Sequence, residues 1–122
     1  LTETKLTLDS IGPELKRAVE AAQDKKASDI LVLEMTELTS FTDYFLICSG
    51  SSHRQVESIA EGIQRSLRDM KVRPAHVEGF PKGEWILLDY IDFVVHVFTP
   101  KSRDYYELER LWGDAEKLAV AS

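Results

Sequence analysis

GEWILLDYIDFVVHVF, residues 83–98, holds two short apolar runs and a very short join. Trp85–Asp89 is the first run, Phe93–Phe98 the second, and Tyr90-Ile91-Asp92 lies between them. Two β-prone runs this close in sequence predict an antiparallel hairpin. A strand alternates its side chains with a period of two, so Val94, His96 and Phe98 share one face and Phe93, Val95 and Val97 the other. Both faces are largely apolar, which predicts an internal strand. The rest of the chain reads as elements that cover or extend this hairpin.

Upstream, Ala75–Glu78 is a short strand candidate, and Gly79-Phe80-Pro81-Lys82-Gly83 is a turn-rich link. Before it, Ser52 and Gln55 have capping-box spacing. The helix they open carries Val56, Ile59, Ala60, Ile63, Leu67 and Met70 on one face. Gly62 inside it costs ~1 kcal/mol of helix propensity against alanine, which a close approach to the sheet would explain. Asp43–Ser49 reads as a strand, and so does ILVLEM after Asp29, whose near-continuous apolar run predicts a central strand covered on both sides. Ile11, Leu15, Ala18, Val19 and Ala22 mark an earlier helix with Pro13 in its first turn, fading at Asp24-Lys25-Lys26. Downstream, Thr99 and Pro100 open a last helix as cap and first residue, with a stripe of Tyr105, Leu108, Leu111 and Trp112 and an end or bend at Gly113.

Helices interspersed among apolar strands predict a layered α/β (α+β) domain, with a mixed sheet of about five strands flanked by helices. The segment from the strand at 43–49 through the long helix to Ala75–Glu78 reads as a right-handed crossover. The expected organisation is a flexible lead-in at 1–10, one domain at 11–115 and a C-terminal tail at 116–122.

At 122 residues the chain is large enough for one real core. Its single cysteine, Cys48, excludes an internal disulfide, fits a reducing compartment, and reads as a small core hydrophobe. No apolar run approaches the ~20 residues of a membrane span, and the first residues lack the pattern of a secretion signal. A net charge of −6 argues against a bulk nucleic-acid binder and suits a basic protein partner.

The search for chemistry is largely negative. His53, His76 and His96 have no close metal-binding spacing, and His96, set among valines, reads as a structural imidazole. Gly50-Ser51-Ser52 precedes a helix but lacks the spacing of a phosphate-binding Walker loop. Asp43, Asp89 and Asp92 do not supply two acids at alternate positions of one strand, the arrangement a two-metal nucleotidyl transfer needs. The aromatics Phe80, Trp85, Tyr90, Tyr105, Tyr106 and Trp112 exceed what so small a core requires, and Trp85 and Tyr90 are candidate anchors for a partner.

KKASDILVLEM (25–35), SFTDYFLICSGSSHRQVESIA (40–60) and HVEGFPKGEWILLDYIDFVVHVFTPKSRDYYELERLWGDA (76–115) together resemble the ribosomal silencing factor, or Iojap-like, family. The resemblance covers about residues 11–115, with FTDYF on Phe41–Phe45, GEWxLLDY on Gly83–Tyr90 and DxVVHV on Asp92–Val97. It implies a translation repressor that binds the large ribosomal subunit through its ribosomal protein fourteen and blocks association with the small subunit. It implies a nucleotidyltransferase-like topology without that activity, and hence no enzyme, cofactor or metal. It further implies a cytoplasmic homodimer with little or no direct nucleic-acid binding and no membrane partner. On this resemblance the ribosomal-protein surface is expected at Phe80, Glu84, Trp85, Asp89 and Tyr90. The alternatives are a large-subunit assembly factor, or a magnesium-dependent nucleotidyltransferase using Asp43, Asp89 or Asp92.

Overall fold

The structure, a computed structural model, describes residues 6–79 and 83–121. In chain order the elements are α1 (Pro13–Asp24), β1 (Ser28–Glu34), β2 (Tyr44–Ser49), α2 (His53–Asp69) and β3 (His76–Glu78). There follow β4 (Trp85–Asp89), β5 (Phe93–Phe98), α3 (Pro100–Tyr106), α4 (Leu108–Leu111) and β6 (Glu116–Val120). The strands form one mixed sheet in the order β3-β4-β5-β2-β1-β6.

The hairpin forms as its sequence predicts, with Trp85 opposite Phe98 and Asp89 opposite Val94. Its turn is tight. The Asp92 amide donates to the Tyr90 carbonyl at 2.9 Å across Ile91, whose φ is +73°. That is a γ-turn in a sparsely populated backbone region, unusual for a β-branched residue. The Asp89 carboxylate holds it by accepting the Ile91 amide at 2.8 Å. β5 then pairs on its other side with β2, in parallel, which makes it internal.

The crossover from β2 through α2 passes over two intervening strands. β3 does not lie beside β2 but at the sheet edge, beyond β5 and β4. The later hairpin inserts into the gap, because β5 is apolar on both faces and is stabilised by neighbours on both sides.

The last residues are not a tail. Residues 116–120 form β6, antiparallel to β1 with Leu118 opposite Val32, and give the described residues a sixth strand. The Gln23 amide ties the strand's end to α1 by donating to the Ala121 carbonyl at 2.7 Å. β6 is also what makes β1 an internal strand. The lead-in is likewise held in part: Leu6 and Leu8 pack against the main core.

Two long helices cover one face of the sheet. Leu15, Ala18, Val19 and Ala22 of α1 and Val56, Ile59, Ala60, Ile63 and Leu67 of α2 meet Val32, Leu46, Cys48, Ile86, Leu88, Val95 and Val97. Each large side chain buried here contributes roughly 1.5–3 kcal/mol. Ser52 caps α2 by accepting the Gln55 amide at 3.1 Å. The expected reciprocal bond goes elsewhere, since Gln55 Oε1 accepts from Ser51. Gly62 does not mark an approach to the sheet. A Cβ there would collide with the aliphatic stem of Lys25, which runs over it from the end of α1.

The opposite face is thinly covered. Leu33, Phe45, Ile47, Val94 and Phe98 form its floor, with Leu108 and Trp112 packed on it. The expected single helix from Pro100 breaks at Glu107, which is left-handed at φ +47°. The break puts the stripe out of phase: Leu108 and Trp112 reach the sheet, whereas Tyr105 and Leu111 are 79% and 70% exposed.

Candidate partner-binding site

β4 divides its side chains between the two faces. Ile86 and Leu88 are buried beneath α2, while Trp85, Leu87 and Asp89 face the thinly covered side and remain partly exposed. The Glu84 carbonyl accepts the Thr99 amide at 3.0 Å, which ties the start of β4 to the start of α3. Gly79, at φ +102°, lets the chain pass here, since a Cβ would run into the Trp85 carbonyl.

Trp85 lies in an aromatic stack. Its ring centroid is 5.0 Å from Phe98 and 4.5 Å from Tyr106. Its indole N–H donates to His96 Nδ1 at 3.1 Å. His96 is only 4% exposed, with Phe45 edge-on at 4.6 Å. Burial disfavours the charged imidazolium and lowers the His96 pKa to about 3, so the ring is a neutral acceptor at physiological pH. Beside this stack a groove of about 850 Å³ runs between Glu84, Trp85, Tyr105 and Tyr106, with Lys101 and Asp104 on its wall.

Arg103 fastens α3 to the sheet. Its guanidinium donates to the Asp29 carbonyl at 2.6 Å, to Ser49 Oγ at 2.9 Å and to Glu109 Oε2 at 3.0 Å. This charge-assisted set fixes the helix that carries Tyr105 and Tyr106.

The expected site residues do not all converge. Glu84 and Trp85 stand together at the groove. Asp89 shares the face of Trp85 but lies four residues on, about 13 Å along the strand. Tyr90 is on the other side: it is 7% exposed, belongs to the α1–α2 core and stacks on Phe93 at 5.0 Å. Burial pushes its phenol up to about 12, with the Arg68 charge acting against it. As an exposed anchor Tyr90 is therefore replaced by a packing role, because it continues the alternation of Ile86 and Leu88 onto the helix-covered face. Phe80 lies outside the described residues. His96, Arg103 and Tyr106 join the site only through tertiary contacts; in the sequence His96 stood out as the one polar residue in FVVHVF and Tyr106 as one of the surplus aromatics, whereas Arg103 left no trace.

The remaining titratable groups do not assemble for chemistry. Among the described residues no group of three or more His, Cys, Asp and Glu could hold a metal ion. Cys48 is fully buried, and desolvation raises its thiol to about 12, so it is not poised as a nucleophile. Among the described residues no helix is long and apolar enough to cross a membrane.

The sheet thus has one sealed face and one partly open face that carries the aromatic stack. The chain belongs to the family described as "Ribosomal silencing factor during starvation", whose profile matches residues 9–122. It is 46% identical over 101 residues to the ribosomal silencing factor RsfS of Bacillus subtilis, covering 83% of this chain and 86% of that one. It is 30% identical over 109 residues to mouse "Mitochondrial assembly of ribosomal large subunit protein 1", 85% of this chain but 48% of that protein. A crystal structure of a Chromobacterium violaceum protein superposes with a TM-score of 0.80 at 40% identity, covering 88% of each chain.

Proposed function

We propose that this protein represses translation in the cytoplasm by binding the large ribosomal subunit and occluding the surface that the small subunit needs. The family match over residues 9–122 carries this reading. The subunit's ribosomal protein fourteen is the proposed receptor. The net charge of −6 favours such a basic partner through long-range attraction. Glu84, Trp85 and Asp89 form the proposed contact, with Phe80 assigned to it by resemblance and Tyr90 supporting the turn from within the core. Trp85 is the anchor, because a half-buried indole on a rigid strand presents a large ring at little entropic penalty. Steric exclusion needs neither cofactor nor turnover.

Sucrose-gradient sedimentation of purified subunits tests this. Added protein should travel with the large subunit and shrink the joined-particle peak. Trp85→Ala combined with Asp89→Lys should abolish both effects while the variant stays folded. Wild-type protein that binds neither subunit and leaves the peak intact would overturn the reading.

The name of the mouse relative supports a second role, assembly of the large subunit. The two separate in cells lacking the protein: immature particles indicate assembly, excess translation in starvation indicates repression. We further infer a homodimer formed through the thinly covered face, where Phe41 is 58% exposed, and sedimentation equilibrium checks it. A nucleotidyltransferase-like topology that has lost its chemistry also fits the mixed sheet. Saturable nucleotide binding that needs magnesium and disappears in Asp92→Ala would contradict that loss.

A further inference from the structure

We propose that His96 is a positioning residue for the partner surface: it accepts the indole N–H of Trp85 and so fixes the plane in which that ring meets its target. The inference rests on the assignment of Trp85 to the contact. Three observations carry it.

First, the pair is directional. Trp85 Nε1 is 3.1 Å from His96 Nδ1 across the β4–β5 ladder, where Trp85 opposes Phe98 and Leu87 opposes His96. The indole has one donor and no acceptor, so accepting its proton leaves Nε2 as the protonated nitrogen of a neutral imidazole. Second, that Nε2 is buried and has no hydrogen-bond partner among the described residues. A buried donor without a partner is destabilising, and phenylalanine would fill much of the same apolar site without one. Among the described residues only Nδ1 of the ring makes a polar contact, and its partner is Trp85. Third, Trp85 itself is only partly buried. What the bond supplies is orientation, with the ring held against Phe98 at 28° and against Tyr106 at 47°.

The test uses His96→Phe, with His96→Leu where the larger ring overpacks, and His96→Gln, which restores an acceptor. Trp85→Ala is the reference. Urea unfolding should show His96→Phe or His96→Leu at least as stable as the wild type. Large-subunit affinity should nevertheless fall about tenfold, the scale of one misplaced anchor, with partial recovery in His96→Gln. The two tryptophans give two indole N–H resonances, and that of Trp85 should move and exchange faster with solvent in His96→Phe while that of Trp112 stays. Unchanged affinity and an unchanged Trp85 resonance in a folded His96→Phe, alongside lost binding in Trp85→Ala, would overturn the positioning role alone. Wild-type binding by Trp85→Ala would instead remove the surface on which the inference rests.

Discussion

The two faces of the sheet are built from the same strands but to different ends. Under α1 and α2, side chains such as Val32, Leu46, Ile59, Ile63, Leu67 and Val95 are wholly buried, and most are aliphatic. Under α3 and α4 the floor mixes Phe45 and Phe98 with aliphatic side chains, neither short helix buries a residue completely, and Trp85, Leu87 and Trp112 stay partly exposed. The helix-covered face supplies the stability that keeps the sheet rigid. The aromatic face spends little on its own cover, which leaves rings available to a partner. The difference teaches that a strand such as β4 can serve both purposes at once, odd residues to one side and even residues to the other.

Changes that break this contrast have graded expected effects. The largest is Leu67→Ala beneath α2, where an emptied aliphatic site should cost about 2–5 kcal/mol by urea unfolding. Affinity per folded molecule should stay unchanged. A loss below ~1 kcal/mol would mean that the sealed face does not dominate stability.

The next effect is a pH slope confined to the aromatic face. His96 has a folded pKa of about 3, depressed by burial from its ordinary 6.5. Between these values the unfolded chain binds the proton and the folded chain does not, so stability rises with pH through this window and is lost as pH falls. One group contributes at most about 1.4 kcal/mol per pH unit. Thermal melts of wild type and His96→Phe between pH 7 and pH 4 should diverge as pH falls, wild type losing stability faster and the variant having the shallower slope. Parallel slopes would show that His96 is not shielded as described.

A smaller effect is expected at the turn that joins the faces. Ile91 is 59% exposed and held at φ +73°. Ile91→Gly relieves a strained backbone and gives up little burial, so stability should rise by about 0.5–1 kcal/mol. A lower melting temperature would indicate that the isoleucine packs more than its exposure suggests. The smallest effect belongs to Phe41→Ser on the rim of the aromatic face. Its stability should stay within about 0.5 kcal/mol of wild type, while self-association, followed by light scattering, should weaken. A marked destabilisation would extend the sealed core to this rim.

Local pattern made much of this protein legible. The 3.6-residue spacing from Val56 to Leu67 located α2, the Thr99-Pro100 pair located the start of α3, and the paired runs around Tyr90-Ile91-Asp92 located the hairpin. EKLAV at 116–120 passed for a tail because it is short and small, and it becomes a strand only when β1 offers its edge. The single stripe from Tyr105 to Trp112 failed because one left-handed residue, Glu107, resets the helical phase, and nothing in the local composition announces it. At the candidate site Trp85 is partly exposed beside the groove, whereas Tyr90, expected with it at the partner surface, is buried on the other face.

The sequence by itself determined α1, α2, the hairpin strands, the caps at Ser52 and Thr99 and the family, because these depend on neighbours within a few residues along the chain. Tertiary structure alone decided the order β3-β4-β5-β2-β1-β6, the burial of Tyr90 and the bond from Trp85 to His96. These depend on register, and register is set between strands. Once Leu87 opposes His96, the imidazole lies within reach of the neighbouring indole, and a slip of one residue would turn it to the other face.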